Sequence, residues 1–433
     1  MTKQKDKNKF NFKTMKLSYF TSIIFSFFLI MYVASASSFN LKELKEKASG
    51  GDTSACLKLG NLYFFGEELD QDLYEAFQWY YEAALKGSGA AQFNLAICYD
   101  QGLGIKTNNL EAFKWYQKAA QADVIQAKFN LAIYYKDGAE FSSDSGTVLL
   151  EQNLPRAIAI LESTANDGFA PSNRELAKLY LKGEGVEKSI PKTIVLLKKA
   201  VIGNDPEAMS LLAQYHIENG SSDKEKIIYL LKSAAQNNVP EALETLGSYY
   251  ECGLDVPQDK QLAFSYYKKA AEQGLVTAQV KLADCFANGN IVKLNIWEAK
   301  YWYKMAVEQK NAYAMFMLGT YADQGIGEPV NKKLAARYFI KSGKADFPKA
   351  QYNLGTYYAK GEGVEKDLKM ALFWYRKAAL QNEPKAQREL GFYYLHGLNG
   401  EEKDYGAGLN WLTLAGKNGD MQAISFMKEI NLN

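Results

Sequence analysis

Along most of this chain apolar residues fall four apart in short blocks, and each block closes on a glycine before polar residues take over. Aligned on an Ala or Ser that stands four residues before a Leu, the blocks begin at Ala55, Ala91, Ala127, Ser172, Ala208, Ala242, Ala278, Ala314, Ala350 and Ala386. Most steps are 36 residues; one of 45 and one of 34 break the rhythm. Every block has leucine at its fifth position, from Leu59 and Leu95 to Leu390, followed by Gly or Ala, and the small residue lets a neighbouring helix come close. An aromatic comes three residues later in most blocks (Tyr63, Tyr99, Tyr135, Tyr180, Tyr250, Phe286, Tyr358, Tyr394), which completes the i, i+4, i+8 stripe of one helical face. Three residues beyond it stands a glycine in nine of the ten blocks, suited to the left-handed turn that ends a helix; the fifth block shifts it to Gly220. A second helix follows, marked by Ala76-Phe77-Gln78-Trp79-Tyr80, by Tyr266-Tyr267 with Ala270-Ala271, and by Trp374-Tyr375 with Ala378-Ala379, where a ring four residues before alanine packs large against small.

The pattern therefore predicts ten helical hairpins, each too small to bury its own apolar face. Neighbours must stack, and the expected fold is all-α: a right-handed superhelical α/α solenoid. Leu41 to Ala48 and Met421 to Ile430 read as capping helices, giving an N-terminal cap at 37–54, repeats at 55–419 and a C-terminal cap at 420–433. The heptapeptide Lys-Gly-Glu-Gly-Val-Glu-Lys occurs at 182–188 and 360–366, where the first helix ends in units four and nine. It reads as a turn, since a phosphate-cradling glycine loop needs a strand before it. The nine extra residues of unit three lie within 140–153 (EFSSDSGTVLLEQN), a Ser- and Gly-containing irregular insertion that is either decoration or a partner contact.

The unit A-x-x-x-L-G-x-x-Y-x-x-G-x-G-V, followed by A-x-x-W-Y-x-K-A-A, resembles the Sel1-like repeat, a relative of the tetratricopeptide repeat. Residues 350–381 match it most fully, and the resemblance covers about 55–421. Units four and five depart from it: Ile194 to Leu197 and Ile228 to Leu231 replace the Trp-Tyr stripe with aliphatics. The resemblance implies a concave face lined by first helices, and so selects the residues two and six past each start. The first set is Leu57, Phe93, Phe129, Arg174, Ser210, Glu244, Val280, Phe316, Tyr352 and Arg388; the second adds Asn61, Lys178, Asp284 and Phe392. Glu207, Glu218, Glu241, Glu244 and Glu251 place carboxylates on the first helices of units five and six. These residues predict a face for an extended peptide or helix, with aromatic anchors toward either end and carboxylates selecting a basic segment. The resemblance further implies a scaffold or adaptor in a bacterial envelope or in contact with a host cell.

The first 36 residues change the picture of where this takes place. Six lysines from Lys3 to Lys16 precede an apolar run from Leu17 to Val33, and Ala34-Ser35-Ala36 follows, the order of a secretory signal peptide cleaved after Ala36. Uncleaved, residues 17–34 would be an inner-membrane anchor. The expected location is periplasmic or secreted, with the membrane reached only through this segment. Without the leader, 45 basic residues face 48 acidic ones, a net charge of −3, and the mature sequence has no sustained basic run, which excludes nucleic acid as the expected partner.

Candidate chemistry is sparse. His216 takes the place of a core aromatic and His396 stands at a helix end; neither has a Cys or Asp at a spacing that suggests metal binding or nucleophile activation. No cofactor is implied. Cys252 and Cys285, in neighbouring units, are the candidate disulfide, with Cys56 and Cys98 a second pair and four buried thiols the alternative. A cysteine-rich subset of Sel1-like proteins is linked to penicillin binding, so Ser189-Ile190-Pro191-Lys192 and Ser221-Ser222-Asp223-Lys224 raise a cell-wall-directed, penicillin-binding or β-lactamase-like alternative. The accompanying Ser-Asp-Asn and Lys-Thr-Gly motifs are absent, and a non-enzymatic role is expected. Trp79, Trp115, Trp302, Trp374 and Trp411 follow the packing period; Trp297 breaks it.

Overall fold

The computed structural model describes residues 41–431 except 67, 144–145 and 398–402. The leader at 1–36, with its stretch 17–34, lies outside the described residues. Among these the chain forms 22 α-helices and one β-hairpin, and it divides into two compact units, one up to Ala242 and one from Leu243.

The first unit begins with α1 (Leu41–Ser49) and continues as α2 (Thr53–Phe65), α3 (Leu73–Leu85), α4 (Gly89–Gln101), α5 (Asn109–Gln121) and α6 (Ile125–Asp137). Strands β1 (Ala139–Ser143) and β2 (Gly146–Leu150) precede α7 (Leu154–Asn166), α8 (Ala170–Lys182), α9 (Ile190–Ile202), α10 (Pro206–Glu218) and α11 (Lys224–Gln236). The division falls within α12 (Pro240–Cys252). The second unit holds α13 (Lys260–Glu272), α14 (Val276–Asn288), α15 (Ile296–Glu308), α16 (Ala312–Gln324), α17 (Lys332–Lys344), α18 (Pro348–Lys360), α19 (Leu368–Leu380), α20 (Pro384–His396), α21 (Tyr405–Lys417) and α22 (Met421–Asn431). Within each unit successive helices pack as antiparallel hairpins that stack on one another, the solenoid arrangement that the repeat period predicts.

Local sequence accounts for both ends of these helices. The second helix of each pair starts on a short polar residue, such as Asp72, Asn108, Asp259 and Asp367, whose side chain accepts a backbone N–H of the first turn. The same residue donates its own N–H back to the aromatic position of the first helix: Asn108 to the Tyr99 carbonyl at 2.8 Å, Asp367 to that of Tyr358 at 2.9 Å. First helices end on the expected glycines, Gly183 at φ 77° and Gly361 at φ 76°. Two residues on, Gly363 also has positive φ, and a Cβ there would run into the Lys332 carbonyl. The repeated heptapeptide is thus a turn whose glycines answer to backbone conformation and close approach.

The small residue beside each leucine has a specific tenant. A Cβ added at Gly60 would lie 2.5 Å from the Tyr80 ring, and at Gly355 2.6 Å from that of Tyr375, so the missing side chain admits the second helix's own aromatic. Tyr80, Tyr116, Tyr267, Tyr303 and Phe339 are fully buried in this way, while Leu197 and Leu231 take the place in α9 and α11. Trp297, out of register, is 66% exposed.

The insertion differs from the irregular loop expected of it. Residues 139–143 and 146–150 pair as an antiparallel hairpin in register from Ala139–Leu150 to Ser143–Gly146. Phe141 is buried between Phe113 and Tyr134, at centroid distances of 5.6 and 6.1 Å, and with Leu150, packed against Leu131, Tyr135 and Ala157, it supplies the anchor that a bare two-stranded hairpin lacks. The joint is unchanged: Asn153 donates its N–H to the Tyr135 carbonyl at 2.7 Å and caps α7, as in the uninterrupted repeats.

Candidate functional site

The position two residues past each alanine lies on the first helix of the hairpin. Phe93 on α4, Phe316 on α16 and Tyr352 on α18 are half-buried there, and each lies against the aromatic of its own second helix. Phe93 meets Tyr116 at 6.0 Å between centroids, Phe316 meets Phe339 at 6.1 Å and Tyr352 meets Tyr375 at 5.9 Å. Each ring therefore keeps one side in contact with its hairpin. Phe129, at the same repeat position, is buried against Phe169 at 5.5 Å and presents little surface.

Both arginines at this position are turned inward. Arg174 is buried, with Nη1 2.7 Å from Asp205 Oδ2 and Nε 3.4 Å from both Glu175 and Glu207. Lys136 and Lys178 close the network on Glu175 at 3.0 and 2.9 Å. Burial alone would raise the Glu175 pKa, but Lys178, Arg174 and Lys136 outweigh it and hold the carboxyl down to about 2. In the second unit Arg388 bonds Asp420 at 2.8 Å and Glu389 at 2.7 Å. Asp205 and Asp420 do two jobs each, accepting the arginine on Oδ2 while Oδ1 caps the next helix through the N–H of Ala208 or Ala423.

The acidic band expected for a basic partner is largely engaged inside the molecule. Glu207 pairs with Lys178 as well as Arg174, Glu244 pairs with Lys281, and Glu251 accepts from the Tyr267 hydroxyl at 2.7 Å. Glu241 is half-buried. Glu218 stands in solvent, accepting from Gln214 at 3.0 Å.

Two acids on the same helices escaped the sequence analysis. Asp100 accepts from the Tyr134 hydroxyl at 2.7 Å and from Tyr116 at 3.5 Å, and Asp323 accepts from Tyr357 and Lys332. The signal was an aspartate with a tyrosine 34 residues on, in the next first helix. Asp284, selected for the groove, belongs with them: Tyr303 and Tyr313 both donate to it. Burial raises the pKa of Asp100 and Asp284 despite these hydroxyl bonds. Side chains on successive first helices are thus linked within each unit, and Asn61, which accepts from the Asn94 amide at 3.4 Å as well as from the Tyr80 hydroxyl at 2.8 Å, belongs to the same pattern.

The remaining candidate residues serve the fold. The expected Cys252–Cys285 bridge is not formed: Cys252 is an exposed thiol at the end of α12, while Cys285 is buried against Ala263 and Tyr267. Cys56 and Cys98 are likewise free and buried, and burial pushes the Cys98 and Cys285 thiols up to about 12. Ser189 caps α9 by accepting the Lys192 N–H, while Lys192 Nζ lies 4.9 Å over the Tyr180 ring. Ser221 accepts from the Asp223 N–H at 3.3 Å. Burial lowers the His216 pKa, and His396 Nδ1 lies 2.8 Å from the Phe392 carbonyl at the end of α20. Among the described residues no three His, Cys, Asp or Glu are grouped to hold a metal, and no helix is long and apolar enough to cross a membrane.

Comparison with known proteins points the same way. The Sel1 repeat matches nine segments: 53–88, 89–124, 170–205, 206–239, 240–275, 276–311, 312–347, 348–383 and 384–420. Each begins two residues before the Ala or Ser that marks its unit; the unit bearing the β-hairpin lies outside them, although it too is a pair of helices. A solved protective antigen of uropathogenic Escherichia coli strains, with an SLR fold, is 26% identical, with 91% of this chain and 90% of that chain covered at a TM-score of 0.51. Chitin synthase regulatory factor 3 of Schizosaccharomyces pombe is 27% identical over 251 residues, and the secretory immunoglobulin A-binding protein EsiB of Escherichia coli is 35% identical over 69 residues. These alignments take in 47% and 16% of this chain, and the chain spans 27% and 14% of the two proteins' lengths.

Proposed function

The chain belongs to the Sel1 repeat family, and on that premise we propose that it is an exported, non-enzymatic adaptor that holds a protein partner against the first helices of its hairpins. The observation that carries this reading is the trio Phe93, Phe316 and Tyr352. All three stand at one repeat position, half-exposed, with the ring already seated on an aromatic of the second helix. An anchor held in this way loses little side-chain freedom on binding, which is how a few rings come to dominate an interface. The ionic groups around them are matched internally, so apolar contact supplies most of the affinity and Glu218 is the carboxylate left for a basic residue of the partner.

Export is supported by the order of lysines, apolar run and Ala-Ser-Ala at the start of the chain. Its likeness to a protective antigen of a pathogen supports a role at the bacterial envelope or in contact with host protein. The test is capture of partners by the full tagged chain in its own cells and from host secretions, with Phe93→Ala and Tyr352→Ala run in parallel. Loss of at least tenfold in recovery of one partner by both variants, with their thermal melting unchanged, supports the reading; recovery equal to the parent's sinks it.

A further inference from the structure

The second helices carry an internal template for a binding site. In the regular repeats the tryptophan of one second helix bridges to the second helix before it: the Trp115 ring on α5 lies 6.4 Å from Tyr81 on α3, and Trp374 on α19 stands 3.4 Å from where a Cβ on Gly343 of α17 would be. Counting from the paired small residues that follow, Leu196 on α9 takes the place of Trp115, and Glu162 on α7 takes the place of Tyr81. Neither place holds an aromatic ring here, as at the following step, where Leu230 on α11 and Lys198 on α9 stand in the same two places. A cleft of about 460 Å³ opens at the first of these steps, walled by α7 and α9 and floored by Leu176 and Tyr180 of α8.

The floor contains a further oddity. Where three other repeats bury a glutamine (Gln279, Gln351, Gln387) whose Oε1 receives a side-chain amide from the following second helix or its end, and a fourth buries Gln92 with its Oε1 unpaired, this repeat has Asn173, one methylene shorter. It is 3% exposed, its Nδ2 donates to the Phe169 carbonyl at 3.3 Å, and its Oδ1 is buried without a partner. An unmatched acceptor in an apolar cleft is destabilising until a donor reaches it. At the rim Lys192 and Lys199 are exposed on α9, facing Glu162 on α7, so the net charge around the opening is positive.

We propose that this cleft is a docking site for a tryptophan side chain of a partner protein, flanked in that partner by carboxylates. The indole replaces the one that the chain supplies for itself in its regular repeats; its N–H is a donor for Asn173, and the flanking acids meet Lys192 and Lys199. The site lies on second helices and does not depend on the role proposed for the first helices.

The experiment uses the full chain and a fluorescent peptide, Asp-Asp-Trp-Asp-Asp with blocked ends, read by anisotropy beside Lys-Lys-Trp-Lys-Lys and Asp-Asp-Ala-Asp-Asp. Saturable binding of the acidic tryptophan peptide alone is expected, weakened at least tenfold by Leu196→Trp, which fills the cleft from within. If that variant melts below the parent, the double variant Lys192→Glu with Lys199→Glu decides, with the same loss expected. No saturation at millimolar protein, equal binding of either control peptide, or affinity unchanged in the folded variants overturns the proposal.

Discussion

The same small device is built twice, once in each unit, and its two settings differ. Arg174 and Arg388 each stand two residues past the residue that marks the unit, Ser172 or Ala386, next to a glutamate, and each reaches the aspartate that caps the next first helix. Around Arg174 the setting is closed: its side chain and that of Asp205 are each 3% exposed, and Glu175, Glu207, Lys136 and Lys178 complete an alternating set of charges. Around Arg388 it is more open, with the arginine 12% and Glu389 30% exposed. The lesson concerns magnitude. A buried ion group is held by the cost of breaking it, since removing one member strands the others away from water, whereas a solvated one gains little from being paired.

The largest test of that contrast is truncation of the two arginines. Arg174→Ala leaves three carboxylates facing one another and is expected to cost about 3–5 kcal/mol, against about 1–2 kcal/mol for Arg388→Ala. Urea midpoints of the full chain read the difference, and equal losses would break the comparison. The next effect is pH-dependent. Glu175 has a folded pKa of about 2, below the ordinary carboxyl value, so its contribution is present above the unfolded pKa near 4.5 and is lost as pH falls toward 2. Glu175→Gln should remove on the order of 2–3 kcal/mol of that acid dependence and flatten the melting temperature between pH 4.5 and 2. A profile as steep as the parent's would show that Glu175 is not held by its cations. The smallest effect sharpens the comparison. Lys178, one-third exposed, should cost about 0.5–1 kcal/mol when cut to Ala, and 0.5 M salt should erase most of that difference while leaving the Arg174→Ala loss largely intact.

How far these features could be read in advance follows from the distance along the chain between the groups that make them. The leucine, small residue, aromatic and glycine of each hairpin lie within 12 residues, so period and helix ends were legible. Contacts between repeats were not. Arg174 and Asp205 are 31 residues apart, Asp100 and Tyr134 34, and neither pairing leaves a local signal beyond residue type. The same limit explains why groove positions selected one repeat at a time mixed half-buried Phe93 with buried Phe129: exposure is set by all the neighbouring helices together, since Phe129 and Phe316 both meet a ring of the next hairpin, Phe169 and Phe347, and of these two only Phe129 is buried. In the insertion, the inward-facing role of Phe141 is set by Phe113 and Tyr134, two helices of context that a reading of 140–153 by itself lacks.

The joint between α6 and α7 carries a consequence for how such chains change over time. Tyr135 and Asn153 keep the backbone bond that Tyr99 and Asn108 make, although a folded hairpin stands between them. A segment can therefore be spliced in at this point while the backbone bond that joins the two helices is kept. Seen this way the link is a socket, and a laboratory graft of a reporter or an epitope at 144–145 should be as tolerable to the array as the natural insert has been.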